Sequence, residues 1–150
     1  MTVFADSSAL VKLYVAERHH EVVRAVDEPI VVSVLAEVEV PAAAWRKHRL
    51  GEMSAGDAGL LCAEFAADVS GDGLPAPRFA VVVVGAEVIA GAIDAVARHP
   101  LRAYDAMQLA TALVVRNALE GPVGFAAFDV ALRSAAAAEG FALIPETFEP

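Results

Sequence analysis

The chain has 150 residues, 57% of them hydrophobic, with 20 acids against 11 bases and a formal net charge of −9. Its longest uncharged run, residues 106–115, falls well short of the ~20 residues that span a bilayer, and Asp6 interrupts an N-terminus with no cationic lead, so neither a membrane span nor a signal peptide is expected. A single cysteine, Cys62, excludes an internal disulfide and a multi-thiolate metal site and reads as a small buried hydrophobe, while the acidic balance taken alone argues against nucleic acid.

Residues 2–5 form a short apolar run that ends at Asp6-Ser7-Ser8, the pattern of a buried strand followed by a helix cap. Leu10, Val11, Tyr14 and Val15 recur at helical spacing, and a shorter helix carries Val22, Val23 and Val26 up to Pro29. A second strand is expected at 30–32 and a long helix from Ser33 to Leu50, stopped by Gly51. Ser54-x-x-Asp57 then caps a helix with Leu60, Leu61 and Phe65 on one face, and 70–77 is the most loop-like stretch.

The four valines within 79–84 suggest a third strand covered on both faces. Val88, Ile89, Ala92, Ile93 and Val96 mark a helix ended by His99-Pro100, and another helix runs over 102–119. A fourth strand at 123–128, a helix at 130–139 and a fifth strand at 141–144 complete the chain. This alternation predicts one α/β domain over 1–150, with a parallel sheet of about five strands flanked by helices.

Ligand sites in such sheets lie beyond the carboxyl ends of the strands, where Asp6 and Asp129 fall. Either acid also suits the N-cap of the following helix. Asp105 lies within about 40° of Leu109, Ala112 and Arg116 on its helix, at the rim of an apolar stripe, though a first-turn acid also complements the helix dipole. Glu37 and Glu39 are rotated by roughly 200° from one another, so only one can aim at a shared site, and periodicity leaves the choice open. Converging carboxylates without His or Cys suit a hard cation, Mg²⁺ or Mn²⁺, that activates water and stabilises a phosphoryl transition state.

Four segments carry a family likeness: VFADSSALVKLY at 3–14, VSVLAEVEVPAAAWRKHR at 32–49, LRAYDAMQLATAL at 101–113 and FAAFDVALRSAAAAEGF at 125–141. In this order they resemble the PIN-domain ribonucleases, and among them the VapC toxins of toxin–antitoxin pairs. The resemblance implies a three-layer PIN-like fold and metal-dependent endonucleolytic cleavage of RNA, leaving a 3′-hydroxyl and a 5′-phosphate. It maps the acids onto Asp6, Glu39, Asp105 and Asp129 as catalytic metal ligands, the pattern Ser33-x-Leu35-Ala36-x-x-Glu39 selecting Glu39 over Glu37. The family often places Thr or Ser two residues before the fourth acid, where this chain has Ala127. Ser7 or Ser8 could supply a hydroxyl near Asp6, or simply cap the helix.

Arg46, within the basic cluster 46–49, and Arg116, three turns from Asp105, are candidates for steering phosphates, as is Ser8 for contacting substrate. The same basic cluster also complements the dipole at a helix end. His19, His20, His48 and His99 have no metal-site spacing and are assigned to surface and loop roles. The lack of an expected membrane span or signal peptide predicts a soluble, cytoplasmic protein. The likeness further implies RNA as substrate, a VapB-type antitoxin as partner and a homodimeric state, with Leu13, Tyr14 and Val22 available to form an apolar groove.

Other readings are a housekeeping PIN-domain nuclease in RNA processing and a catalytically silent acidic Mg²⁺-binding signalling module. A receiver domain would need paired acids after the first strand, Asp after the third and Lys after the fifth. This chain has a lone Asp6, Gly85 and Pro145 at those places. A metal-dependent adhesion motif would need Ser where Leu10 stands.

Overall fold

Val3, Phe4 and Ala5 have no polar partner before Asp6, and in the computed structural model, which describes residues 1–149, they form the middle of the sheet as β1 (Thr2–Ala5). The remaining elements are α1 (Ser7–Tyr14), α2 (His20–Arg24), β2 (Ile30–Ser33), α3 (Ala36–Arg49), α4 (Ala55–Ser70), β3 (Phe79–Val82), α5 (Ala86–Arg98), α6 (Ala103–Ala118), β4 (Val123–Ala126), α7 (Val130–Ala138) and β5 (Ala142–Ile144). The strands lie in the order β3-β2-β1-β4-β5, every pair parallel. Ser33 therefore ends a strand rather than opening a helix.

Alternation along each strand divides the core between two faces. Phe4, Val31 and Phe125 point toward α5, α6 and α7, whereas Val3, Ala5, Val32 and Ala126 point toward α1, α3 and α4. Helices cover both sides of the sheet, so the fold has three layers. Gly91 permits a close approach of α5 to α6, because a Cβ there would stand 3.2 Å from that of Ala110. Gly71 terminates α4 at φ 79°, a conformation suited to glycine, and a Cβ would meet Pro77 N at 2.9 Å.

Several expected faces differ in their cover. β3 is an edge strand that stops at Val82, leaving Val83 71% exposed instead of sandwiched. Leu60 is exposed while Leu61 and Phe65 are buried, and Ile89, Ile93 and Val96 leave an apolar stripe of α5 on the surface beside buried Val88 and Ala92. Cys62 is half-buried, at the edge of the core rather than within it. Leu13 and Tyr14 are half-buried and pack against the core, Tyr14 donates to Asp68 at 2.5 Å and lines a cleft with Val15, Leu60 and Leu61, and Val22 is exposed. Among the described residues no helix is long and apolar enough to cross a membrane.

Parallel pairing brings the carboxyl ends of all five strands to one edge. The Asp6 amide continues the ladder by donating to Ala126 O at 2.9 Å, and the Val34 amide does the same to Val82 O at 2.8 Å. Asp6, the entrance to α3 and the 127–129 turn are therefore neighbours, because the sheet sets their register.

Candidate active site

Asp6 leaves β1 and caps α1, and its side chain is 5% exposed. One oxygen, Oδ2, accepts both from the Ser8 amide at 3.1 Å and from Ser8 Oγ at 2.6 Å. The same Ser8 hydroxyl accepts from the Phe128 amide at 2.9 Å, tying α1 to the turn after β4. Ser8 thus supplies a hydroxyl beside the acids where Ala127 has none. Burial raises the Asp6 pKa above the ordinary carboxylate value, more than the Ser8 and Ser7 hydrogen bonds lower it, and the charge of Asp105 adds to the rise.

Glu39 projects from the first turn of α3 and accepts from Gln108 Nε2 at 2.7 Å. Its pKa is pushed up to about 7, first by burial and then by the charges of Asp6 and Asp105, against hydrogen bonds from Gln108 and Ser7. Glu37 is exposed and lines a separate cleft with Pro41 and Cys62, so α3 turns Glu39, not Glu37, toward the other acids.

Asp105 occupies the first turn of α6, half-buried, its pKa raised by burial and by the charge of Asp129 while Arg102 lowers it. Asp129 caps α7, its Oδ1 accepting from the Leu132 amide at 2.8 Å. Both strand-end acids therefore do what an N-cap does while belonging to the acidic group. The pairs Asp6–Asp105, Glu39–Asp6, Glu39–Asp105 and Asp105–Asp129 all interact unfavourably, linking the four acids in one repulsive set.

Such a set is stabilised by a cation. Carboxylates with the Ser7 and Ser8 hydroxyls and no thiolate or imidazole make a donor set suited to a hard ion that keeps part of its water shell. Among the described residues no three His, Cys, Asp or Glu side chains stand close enough to grip one ion together. Asp6, Glu39, Asp105 and Asp129 would therefore hold such an ion jointly with its retained waters rather than as a closed cluster of direct ligands.

Gln108, Arg133 and Lys12, three buried groups that the sequence reading does not single out, organise this edge together with half-buried Lys47 of the basic cluster. Gln108, 0% exposed, holds Glu39 through Nε2, and its Oε1 has no hydrogen-bond partner. A polar residue beside the apolar positions Ala106, Leu109 and Ala110 was the available signal. Arg133, 6% exposed, donates to Ala127 O at 2.9 Å and Pro145 O at 2.7 Å and stacks over Phe148, fixing the turn that bears Asp129. Lys12 and Lys47 converge on Glu17 in a cleft of about 450 Å³ that also bears Ser7, Ser8, Glu39, Phe128 and Asp129.

The other basic candidates divide. Arg46 lines an adjoining cleft with Glu39, Lys47 and Arg49. Arg116 sits at the far end of α6, where it donates to Glu139 O at 2.6 Å and lies over Phe141, away from the acids. The histidines make local contacts: His99 with Glu139, His48 with Met53 O, His20 with Glu17 O, and His19 stacked on Phe128.

The sheet order, the helices on both faces and the acids at the strand ends describe a PIN-like nuclease fold. The PIN domain family matches residues 3–119, and the chain belongs to that family. Asp6, Glu39 and Asp105 lie inside the matched span and Asp129 beyond it. PIN domains are generally nucleases, a class of hydrolase. Among solved structures, the chain is similar to one described as a toxin–antitoxin complex from Klebsiella pneumoniae, at 16% identity and a TM-score of 0.55, over 85% of this chain and 86% of the other. No curated protein matches the chain.

Proposed function

We propose that the protein is a divalent-metal-dependent endoribonuclease and serves as the toxin of a toxin–antitoxin pair of VapBC type. The observation that carries the catalytic part is the electrostatic linkage of Asp6, Glu39, Asp105 and Asp129 at the carboxyl edge of a parallel sheet, three of them with raised pKa values. Family membership supports nuclease chemistry, and likeness to the Klebsiella pneumoniae toxin–antitoxin complex supports the biological role.

In this reading the four acids would share Mg²⁺, or Mn²⁺ in its place, few of them in direct contact and the rest through its retained waters. When bound, the ion supplies a water of lowered pKa and positive charge for the phosphoryl transition state. The chain's own contribution is positioning. Ser8 fixes Asp6 through two hydrogen bonds to one oxygen, leaving Oδ1 without any of those contacts. Gln108 fixes Glu39 from a fully buried position, and the N-cap bond to Leu132 fixes Asp129. Arg46 contributes positive charge to the groove beside Glu39, suited to phosphates flanking the scissile bond.

The antitoxin partner is carried by likeness to the Klebsiella pneumoniae complex. A homodimer is proposed through the exposed stripe Ile89, Ile93 and Val96 of α5, which forms one wall of a nearly apolar cleft with Ala103 and Met107. The proposed setting is the cytoplasm, where the RNA substrate is found. The test is induced expression of wild type beside Asp6→Asn, with mapping of new RNA ends. Growth arrest and new 5′-phosphate ends in the wild type alone are expected. Equal growth and no new ends in both would sink the toxin role.

A further inference from the structure

Lys12 and Lys47 come from different helices and end on one carboxylate. Lys12 Nζ stands 2.9 Å from Glu17 Oε1, and Lys47 Nζ 2.5 Å from Glu17 Oε2. Glu17 belongs to the 15–19 connection between α1 and α2. Each lysine also has a second anchor. Lys12 donates to Arg18 O at 2.8 Å and lies over the Phe128 ring at 4.5 Å, and Lys47 is 3.5 Å from Glu52. Both ammonium groups therefore have reasons to stay in place without Glu17.

Their location gives the arrangement its meaning. The cleft with the Lys–Glu–Lys bridge also carries Glu39 and Asp129. Glu39 and Lys47 are shared with the adjoining cleft, whose other cations are Arg46 and Arg49. A protein with a net charge of −9 thus lines up four cations past one of its proposed catalytic acids.

A carboxylate and a phosphodiester present the same recognition face, two anionic oxygens about 2.2–2.6 Å apart, each able to accept from its own ammonium. We propose that Lys12 and Lys47 form a subsite for an RNA backbone phosphate next to the acids, and that Glu17 occupies it in the free protein as an internal competitor. The inference rests on reading the groove as a nuclease site. Binding of the strand then requires Glu17 to leave both lysines, which its position in a short connecting segment permits without disturbing the sheet. The competitor holds down affinity for RNA in general, so a strand with contacts elsewhere along the groove is favoured over one without.

If Glu17 were only a strut aligning the lysines, its removal would weaken RNA binding; a competitor predicts the opposite sign. The decisive experiment is fluorescence anisotropy of a short labelled single-stranded RNA in EDTA, with wild type, Glu17→Gln, Glu17→Ala and the double variant Glu17→Gln/Lys47→Ala. Both single variants should bind about three- to tenfold more tightly, with a log–log salt slope steeper by about 0.7 for each cation freed. The Lys47→Ala change should cancel most of that gain. Glu17→Gln keeps the shape of the side chain, so a folding defect confined to Glu17→Ala leaves the test intact.

Unchanged or weaker binding by folded Glu17→Gln would overturn the proposal. So would tightening seen only with a hexaglutamate probe, which would make the subsite one for an acidic protein segment. Because no metal and no cleavage enter the assay, a negative result leaves the nuclease reading standing. A protein that gains affinity in this way yet never cleaves RNA would fail that reading instead.

Discussion

Gln108 donates to Glu39 at 2.7 Å from a fully buried position on α6, and its own carbonyl oxygen has no partner. A buried polar group left half satisfied costs about 1–3 kcal/mol. The fold retains that cost at the place where it orients a carboxylate of the acidic group. Gln108→Leu is therefore expected to leave stability within about 1 kcal/mol of wild type, because the unpaired oxygen disappears together with the donor. Metal-dependent cleavage should fall by about tenfold or more, a barrier change of roughly 1.4 kcal/mol. Urea unfolding and single-turnover kinetics on the same preparations check the two halves.

The raised pKa of Glu39, about 7 against an ordinary 4.5, makes stability pH-dependent in a defined direction. The folded protein holds a proton that the unfolded chain releases between these values, so without metal stability falls as pH rises from 4.5 to about 7. Allowing for partial solvent screening, the loss attributable to Glu39 is on the order of 1–2 kcal/mol. Asp6 and Asp105, also raised, act in the same direction above their own unfolded values. Metal-free denaturation curves across this range should show the decline in wild type and a shallower one in Glu39→Gln.

Arg133 should prove structural. Its guanidinium satisfies Ala127 O and Pro145 O inside the protein, and Arg133→Ala would leave both carbonyls unpaired. A loss of about 2–4 kcal/mol is expected, read from the shift in denaturation midpoint. Arg133→Lys, which cannot span both acceptors as a planar fork does, should recover only part of it.

The legibility of the sequence follows from what periodicity encodes. All five strands and their parallel arrangement could be read from apolar runs punctuated by Asp6, Gly85, Gly121 and Gly140, since these depend on local order along the chain. Periodicity assigns a face but not what covers it. Val83 and Leu60 read as core and are exposed, because β3 lies at an edge and α4 turns Ala58, Leu61 and Phe65 inward instead. The turn of Glu39 rather than Glu37 toward the acids depends on the exit angle from β2, which helical spacing does not carry; the family pattern carried it. Arg116 shares the angular sector of Asp105 but lies three turns away, a displacement along the axis that a projection down the helix hides. Lys12 and Glu17 lie five residues apart, but Lys47 joins them only because α3 crosses there, a contact between residues 30 apart that no local pattern carries.

The separation of Arg46 from Arg116 yields a paired prediction. Arg46→Gln should weaken RNA binding several-fold and reduce its salt slope by about 0.7, because Arg46 shares a cleft with Glu39. Arg116→Gln should leave RNA binding unchanged and lower only stability, since its guanidinium serves Glu139 O and the Phe141 ring. Anisotropy titrations at two salt concentrations separate the two.

Ile93, 64% exposed on α5, is the most direct probe of self-association. Wild type should sediment as a dimer and Ile93→Glu as a monomer with an unchanged far-ultraviolet spectrum. Sedimentation velocity checks both, and a monomeric wild type would remove the proposed interface.

The central claim is that the linked carboxylates constitute a metal-dependent centre for RNA cleavage. The most direct measurement compares wild type and Asp6→Asn on the same RNA across a Mg²⁺ titration, with EDTA as the zero point. Asn remains a good N-cap, so the start of α1 should persist and loss of activity would not stem from unfolding. Wild-type cleavage is expected to rise with Mg²⁺ and stop in EDTA, with a rate at least about a hundredfold lower in Asp6→Asn. Wild-type cleavage undiminished in EDTA, or an Asp6→Asn protein as active as wild type, would contradict that claim.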